Sequence, residues 1–297
     1  MQTTDILEPP KETESSFSIG SEAHKHLFCK TLLDTHNPYK PKVLDWPQLT
    51  DEELKRLTDL PIWDMAVQVE GQASVNVLSY AEEIADPLLK SAIEMNGREE
   101  ARHKHVLSNL VEAYGIKLAE EPEYKKLEDT EWGYMATGYS ECIDSFFAFA
   151  LFELAKRSGY FPAELVETFD PVMQEEGRHI LFFVNWAAWH RYNLPWLKKI
   201  SFDIKRIRIF IHIIWERIKS VRGMDNQNAS TNENFMITTS AAVNIDINLT
   251  DFLHLCLSEN NRRLSPYDSR LIRPKIIPRT ISIVYKIAKG LKFIFRK

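Results

Sequence analysis

Arg98–Leu107, REEARHKHVL, and Gln174–Phe183, QEEGRHILFF, are two segments of one pattern. Aligned, both read E-E-x-R-H: Glu99-Glu100-x-Arg102-His103 matches Glu175-Glu176-x-Arg178-His179, 76 positions later. Residues three apart on a helix share a face, about one turn from each other. The second Glu and the His of each motif are therefore placed to reach one metal ion together. A lone Glu-x-x-His occurs by chance in a chain of this size; the repeat of the longer pattern is the informative part.

Outward from these motifs the chain reads as helices. Four long helical patterns cover about Pro61–Asp86, Pro87–Tyr114, Trp132–Ser158 and Pro162–Tyr192. Pro61, Pro87 and Pro162 suit first turns, and Gly115 and Gly159 suit helix ends. Pro171 is expected either to kink the fourth helix or to split off a short one, with Asp170 capping the longer part. Thr50 or Asp51 is expected to cap a short helix in LTDEELKRL, and a fifth amphipathic helix is expected over Trp196–Arg222. The fold class is all-α: a four-helix bundle with short N-terminal helices, the fifth helix and a basic C-terminal extension.

A pair of Glu-x-x-His motifs needs one further Glu from each of two other helices to complete a dinuclear site inside a bundle. Glu70 is the only acid between Asp64 and Glu82 on the first helix, and the third offers Glu141 or Glu153. In an antiparallel hairpin, residues at one level lie equally far from the turn. The midpoint of Glu70 and Glu100 is residue 85, beside the Asp86-Pro87 break. That of Glu141 and Glu176 falls at Ser158-Gly159, also a break, whereas that of Glu153 and Glu176 falls inside a helix. Glu141 is therefore preferred to Glu153.

With Glu70, Glu100, His103, Glu141, Glu176 and His179 in hand, residues 61–192 resemble the ferritin-like diiron-carboxylate proteins. The resemblance implies that Glu70, Glu100 and His103 hold mostly one ion and Glu141, Glu176 and His179 the other, with Glu100 and Glu176 bridging. It also implies that Glu99 holds His179, that Glu175 holds His103, and that Arg102 and Arg178 tie these acids to others such as Asp144. Four carboxylates and two imidazoles without thiolate suit two Fe ions, or Mn and Fe, with O2 as co-substrate. The implied activity is an O2-dependent oxidase or oxygenase (hydroxylation, desaturation or N-oxygenation). Its substrate is a small or medium-sized apolar organic molecule, and its electrons come from an external donor of the ferredoxin kind. The alternative is an iron- or manganese-storage protein without organic substrate.

Apolar residues on the same helix faces, including Val67, Leu107, Phe152, Phe183 and Trp186, read either as the wall of a dry substrate pocket or as ordinary bundle core. His24, His26 and Cys29 lack a fourth ligand for zinc, and Asp251-x-x-His254 lacks a partner motif.

The 297 residues carry a net charge of −5, with 44% hydrophobic and 27% charged residues, as ordinary soluble proteins do. The charge is split: residues 1–195 sum to −16 and residues 196–297 to +11. The basic part is expected to fold back on the acidic part or to meet anionic lipid or an acidic protein, and no motif supports nucleic acid. The Ile/Phe stripe of residues 200–214 is expected to pack on the bundle, with a membrane surface as the alternative; the last twenty residues are the better candidate for a peripheral anchor. Expected organisation is a disordered 1–20, a helical domain at 21–222 with its core bundle at 61–192, a linker at 223–235 and the basic extension at 236–297. Three cysteines without a CxxC pair, no signal-like N-terminus and no long apolar run point to the cytoplasm, with a peripheral membrane location as the variant. A homodimer is compatible with all of this.

Overall fold

In the computed structural model, residues 17–41, 44–224 and 248–295 are described, with side chains as far as 219 and 289 in the last two stretches. Most of the expected disordered N-terminus and of the linker lies outside the described residues. The described elements are helical: α1 (Glu22–Asp34), α2 (Asp51–Thr58), α3 (Trp63–Ala81), α4 (Pro87–Ala113), α5 (Thr130–Ser158), α6 (Ala163–Glu167), α7 (Asp170–Asn193), α8 (Trp196–Met224), α9 (Leu249–Leu264) and α10 (Ile276–Phe295).

Short polar side chains start several of these helices by accepting from free N–H groups of the first turn. Thr50 and Glu53 form a reciprocal capping box at α2. Asp86 accepts from Leu89 N at 2.8 Å ahead of Pro87, and Asp129 accepts from Trp132 N at 2.9 Å. Gly159, with φ +62°, ends α5 in the left-handed conformation that glycine adopts without strain. Pro171 splits the fourth pattern into α6 and α7 rather than kinking it. One correction follows: Asp170 is the first residue of α7, and Phe169 occupies the cap position without a side-chain hydrogen bond.

The four core rods are α3, α4, α5 and α7, paired as the hairpins α3–α4 and α5–α7 and joined by a crossover at 114–129. The arrangement is a ferritin-like helical bundle. The crossover runs along α3, where Asp64 Oδ1 accepts from Ala119 N at 2.6 Å and Gln72 Nε2 donates to Lys125 O at 3.0 Å.

Segments outside 61–192 complete the core. Phe28, Cys29 and Leu32 of α1 are buried against α4 and α7. Leu255 and Cys256 of α9 are buried with Phe146 and Ala150 of α5. The basic part does meet the acidic part: Arg217 pairs with Asp144 at 2.6 Å and Lys205 with Glu131 at 2.7 Å. The stripe of α8 is divided, which corrects the expectation that it packs. Phe202, Ile209 and Ile213 are buried, whereas Ile200, Ile204, Ile207, Ile211 and Ile214 are exposed. Two apolar rows lie on opposite sides of one cylinder, and the bundle covers only one.

Candidate metal centre

The two motif repeats come together in the bundle interior. Glu100, His103, Glu176 and His179 are all buried, and each offers a donor atom within 4.8 Å of the others. Glu100 sits between the imidazoles: its Oε1 is 2.7 Å from His179 Nδ1 and its Oε2 is 3.6 Å from His103 Nδ1. Glu176 Oε1 lies 3.2 Å and Glu70 Oε2 3.7 Å from His103 Nδ1. Glu141 is close enough for the charges of Glu100, Glu176 and His179 to shift it. Glu153, the rejected alternative, pairs with Arg157 at 2.6 Å instead.

The far nitrogen of each imidazole is held crosswise. His179 Nε2 lies 2.7 Å from Glu99 Oε2, and His103 Nε2 lies 2.9 Å from Glu175 Oε2. Because a carboxylate only accepts, these contacts put the N–H on Nε2 and leave the Nδ1 lone pair facing the cluster. Both Nδ1 atoms and Glu141 Oε1 are buried without a hydrogen-bond partner; the 2.7 Å contact to Glu100 is short but not aligned as a hydrogen bond. A lone pair aimed at carboxylate oxygens is repelled unless a proton or a metal ion lies between them.

Charge bookkeeping agrees. Arg178 Nη2 donates to Glu99 Oε1 at 2.7 Å and Arg102 Nη2 donates to Glu175 Oε1, so these two acids have their cations. No lysine or arginine pairs with Glu70, Glu100, Glu141 or Glu176 among the described contacts. Burial first, then the neighbouring acids, push Glu141 well above the usual carboxylate range, and burial raises Glu70 against the pull of His103. Burial alone would lower both imidazoles, but the surrounding carboxylates raise them. In the forms that bind metal, ionised carboxylates and neutral imidazoles, the four acids carry four negative charges, which two divalent ions would balance. Thiolate-free O/N donors of this kind suit Fe and Mn.

Four contributors carry no motif. Asn96 Nδ2 donates to Glu100 Oε1 at 3.0 Å, and Ser145 Oγ donates to Glu176 Oε2 at 3.0 Å. After α1, His36 Nδ1 lies 2.6 Å from Glu99 Oε1, and Tyr39 OH reaches Glu175 Oε2 at 3.4 Å. Asn96 and Ser145 stand one turn from Glu100 and Glu141 and were findable by helical spacing. His36 and Tyr39 lie on a loop and follow no period. His36, Glu99 and Glu175 also lie together, but Arg102 and Arg178 already supply that group's positive charge.

Asp144 is a correction. It does not join Arg102 or Arg178; both its oxygens accept from Arg217 of α8 at 2.6 Å. One turn beyond Glu141, it turns along the cavity wall toward α8, while the arginines of the motifs face α1.

A cavity of about 710 Å³ opens beside the cluster, walled by Glu70, Glu100, His103, Glu141 and Glu176 and by apolar residues such as Trp63, Leu107, Leu110, Phe152 and Phe169. Of the five expected pocket residues, Leu107 and Phe152 line it, and Val67, Phe183 and Trp186 do not. Val67 lies two turns from Ser74, whose hydroxyl donates to Gly97 O of α4, so it shares the face that closes on α4. Phe183 and Trp186 continue the stripe of His179 in the other direction. There Trp186 meets Tyr134 at 4.6 Å and Phe183 meets Tyr139 at 4.8 Å between centroids, in closed aromatic core.

No family model and no curated protein matches the chain. Among solved structures it is similar to a variant of an R2-like ligand-binding oxidase with an anaerobically reconstituted Mn/Fe cofactor. The identity is 16% and the TM-score 0.49, over 88% of this chain and 97% of that one. The likeness is distant, and the reading of the centre rests on its own donors, distances and charge.

Proposed function

We propose that this protein is an O2-dependent oxidase or oxygenase with a dinuclear Fe/Fe or Mn/Fe centre, acting on an apolar organic substrate and drawing electrons from an external donor. The observation that carries the reading is the pair of orphaned Nδ1 atoms converging with four acids that no lysine or arginine pairs with, beside a largely apolar cavity. Glu70, Glu100 and His103 would hold one ion and Glu141, Glu176 and His179 the other, with Glu100 shared. Bound in this way, the ions would supply O2 activation and redox equivalents.

The rest is work of the chain. Glu99 and Glu175 orient the imidazoles and fix their tautomer, and Arg178 and Arg102 hold those acids in place by hydrogen bonds. Asn96 and Ser145 orient the carboxylates of Glu100 and Glu176. Leu107, Leu110, Phe152 and Phe169 exclude water and favour an apolar guest over a polar one. Tyr124 and Pro122 of the crossover also line the cavity, and the hydrogen bonds of Gln72 hold that stretch in place.

The test is anaerobic reconstitution with Fe(II), Mn(II) or both, followed by metal analysis and oxygen-electrode measurements with a chemical reductant. About two ions per chain, with O2 uptake stimulated by an apolar compound, is the expected result. Metal binding with O2 consumption that ignores every organic additive would support metal storage instead. No retained metal would overturn the assignment of the centre.

A further inference from the structure

We infer that the outer face of α8 is a docking surface for a membrane bearing anionic lipid. At 100° per residue, Ile200, Ile204, Ile207, Ile211, Ile214 and Ile218 fall within one narrow arc of the helix, and each is 40–62% exposed. Trp196, 69% exposed, and Trp215, 52% exposed, stand near the two ends of this row. The row is about 27 Å long. Buried Phe202, Ile209 and Ile213 occupy the opposite arc, so the outer row is not needed for packing on the bundle. Single exposed apolar residues are ordinary, but a continuous row of this length on one helix is not.

Charge selects the occupant. Cations border the row on both sides, Arg208, Lys205 and Lys219 along one edge and Lys199, Arg206 and Arg217 along the other. Residues 196–219 carry seven cations against Asp203 and Glu216, a net of +5. Some of these cations bind acids of the bundle, as Lys205 does Glu131 and Arg217 does Asp144. Lys199 and Arg208 instead lie over the rings of Tyr192 and Trp132. The last helix has the same character: Ile276, Ile283 and Ile287 are exposed, and residues 269–297 hold nine cations and no acid. A second copy of the chain on this face would set like charge against like charge along both edges. An anionic lipid surface accepts the isoleucines between its headgroups and the cations among its phosphates, with tryptophans at the depth they prefer. No described helix is long and apolar enough to cross a membrane, so the helix would lie in the surface.

The inner side of α8 brings His212, Ile213, Glu216 and Arg217 to the cavity wall. One helix thus touches both the cavity and the docking face, a route by which a lipid-dissolved substrate would reach the site. That last point alone rests on the proposed activity; the docking does not.

The experiment is co-sedimentation of the full chain with phosphatidylcholine vesicles with and without 30% phosphatidylglycerol, at low and high salt. The I204E/I207E/I211E variant is compared, with helix content by circular dichroism and retained metal as checks on folding. The expected result is binding to anionic vesicles that salt weakens and that the variant loses by about tenfold or more. K199E/R208E, which leaves the apolar row intact, is expected to lose the preference for anionic vesicles. Failure of the wild-type chain to sediment with anionic vesicles overturns the proposal. So does a self-associated species in light scattering that the isoleucine variant dissolves while vesicle binding is unchanged. Metal content and O2 uptake of the variant report separately on the proposed activity.

Discussion

Glu99 Oε2 and His179 Nε2, 80 positions distant in the chain, lie 2.7 Å apart and join the two motif copies. Glu175 and His103 repeat the contact in the opposite sense at 2.9 Å. Each motif therefore supplies one imidazole to the cluster and one carboxylate that steadies the other motif's imidazole. The copies are interdependent: neither half of the centre is complete without the second helix.

Glu99→Gln tests this relation. The amide retains the shape but loses the charge that Arg178 and His179 need, and half of it is a donor. Metal affinity is expected to fall about 10- to 100-fold with the helices intact. Competitive titration against a chelating dye measures it; unchanged affinity would leave Glu99 a purely structural role.

Glu141→Gln is expected to act with opposite signs on the two forms of the protein. Without metal, Glu141 is an acid in the interior with no partner for Oε1, so removing its charge stabilises the apo form by about 1–3 kcal/mol. With metal, the wild type gains about 2.7 kcal/mol at a hundred times its dissociation constant. The variant is expected to lose most of that gain. Thermal unfolding of both proteins with and without Mn(II) gives the four values; a variant whose metal response equals that of the wild type removes Glu141 from the ligand set.

Gly138→Ala probes the tightest helix contact near the aromatic core. A Cβ there would stand 2.3 Å from the ring of Phe183, which is itself only 2% exposed. Overpacking costs about 1–3 kcal/mol. The better helix propensity of alanine returns up to about 1 kcal/mol, so the net effect is destabilising. Urea unfolding measures it, and a stability gain would show that Phe183 has room to move.

Acid stability is expected to depend in part on Glu131. Its hydrogen bond to His190, 3.1 Å away, and the nearby Lys205 outweigh burial and hold it at about 2, down from 4.5. The folded value is the lower one, so this contribution is complete above pH 4.5 and is lost as pH falls from 4.5 toward 2. Glu131→Gln is therefore expected to flatten the loss of stability between those pH values, read as urea midpoints at pH 6 and pH 3. An identical acid limb in the variant would show that His190 and Lys205 do not stabilise the charged form.

Much of the centre is readable along the chain because helices impose a fixed period. The i, i+3 spacing put Glu100 with His103 and Glu176 with His179, and equal distances from the turns put Glu70 and Glu141 at the same level. Cap residues such as Asp86 and Asp129 mark helix starts by chemistry local to three or four residues. Arg217 as the partner of Asp144, and the loop residues His36 and Tyr39, obey no such period. They meet the site because separate segments pack there, and no local pattern records that encounter.

The same division governs the apolar residues. Hydrophobic spacing states which side chains share a face of a helix, but not what that face meets. Leu107 and Trp186 look alike in sequence, yet one borders open space and the other sits in closed aromatic packing. Ile209 and Ile211 are two positions apart on α8, and one is buried while the other is exposed. A helix carries its own hydrogen bonds and its own period, so its existence and its faces are local properties. Enclosure and neighbouring charge depend on several helices at once, and they exist only in the packed molecule.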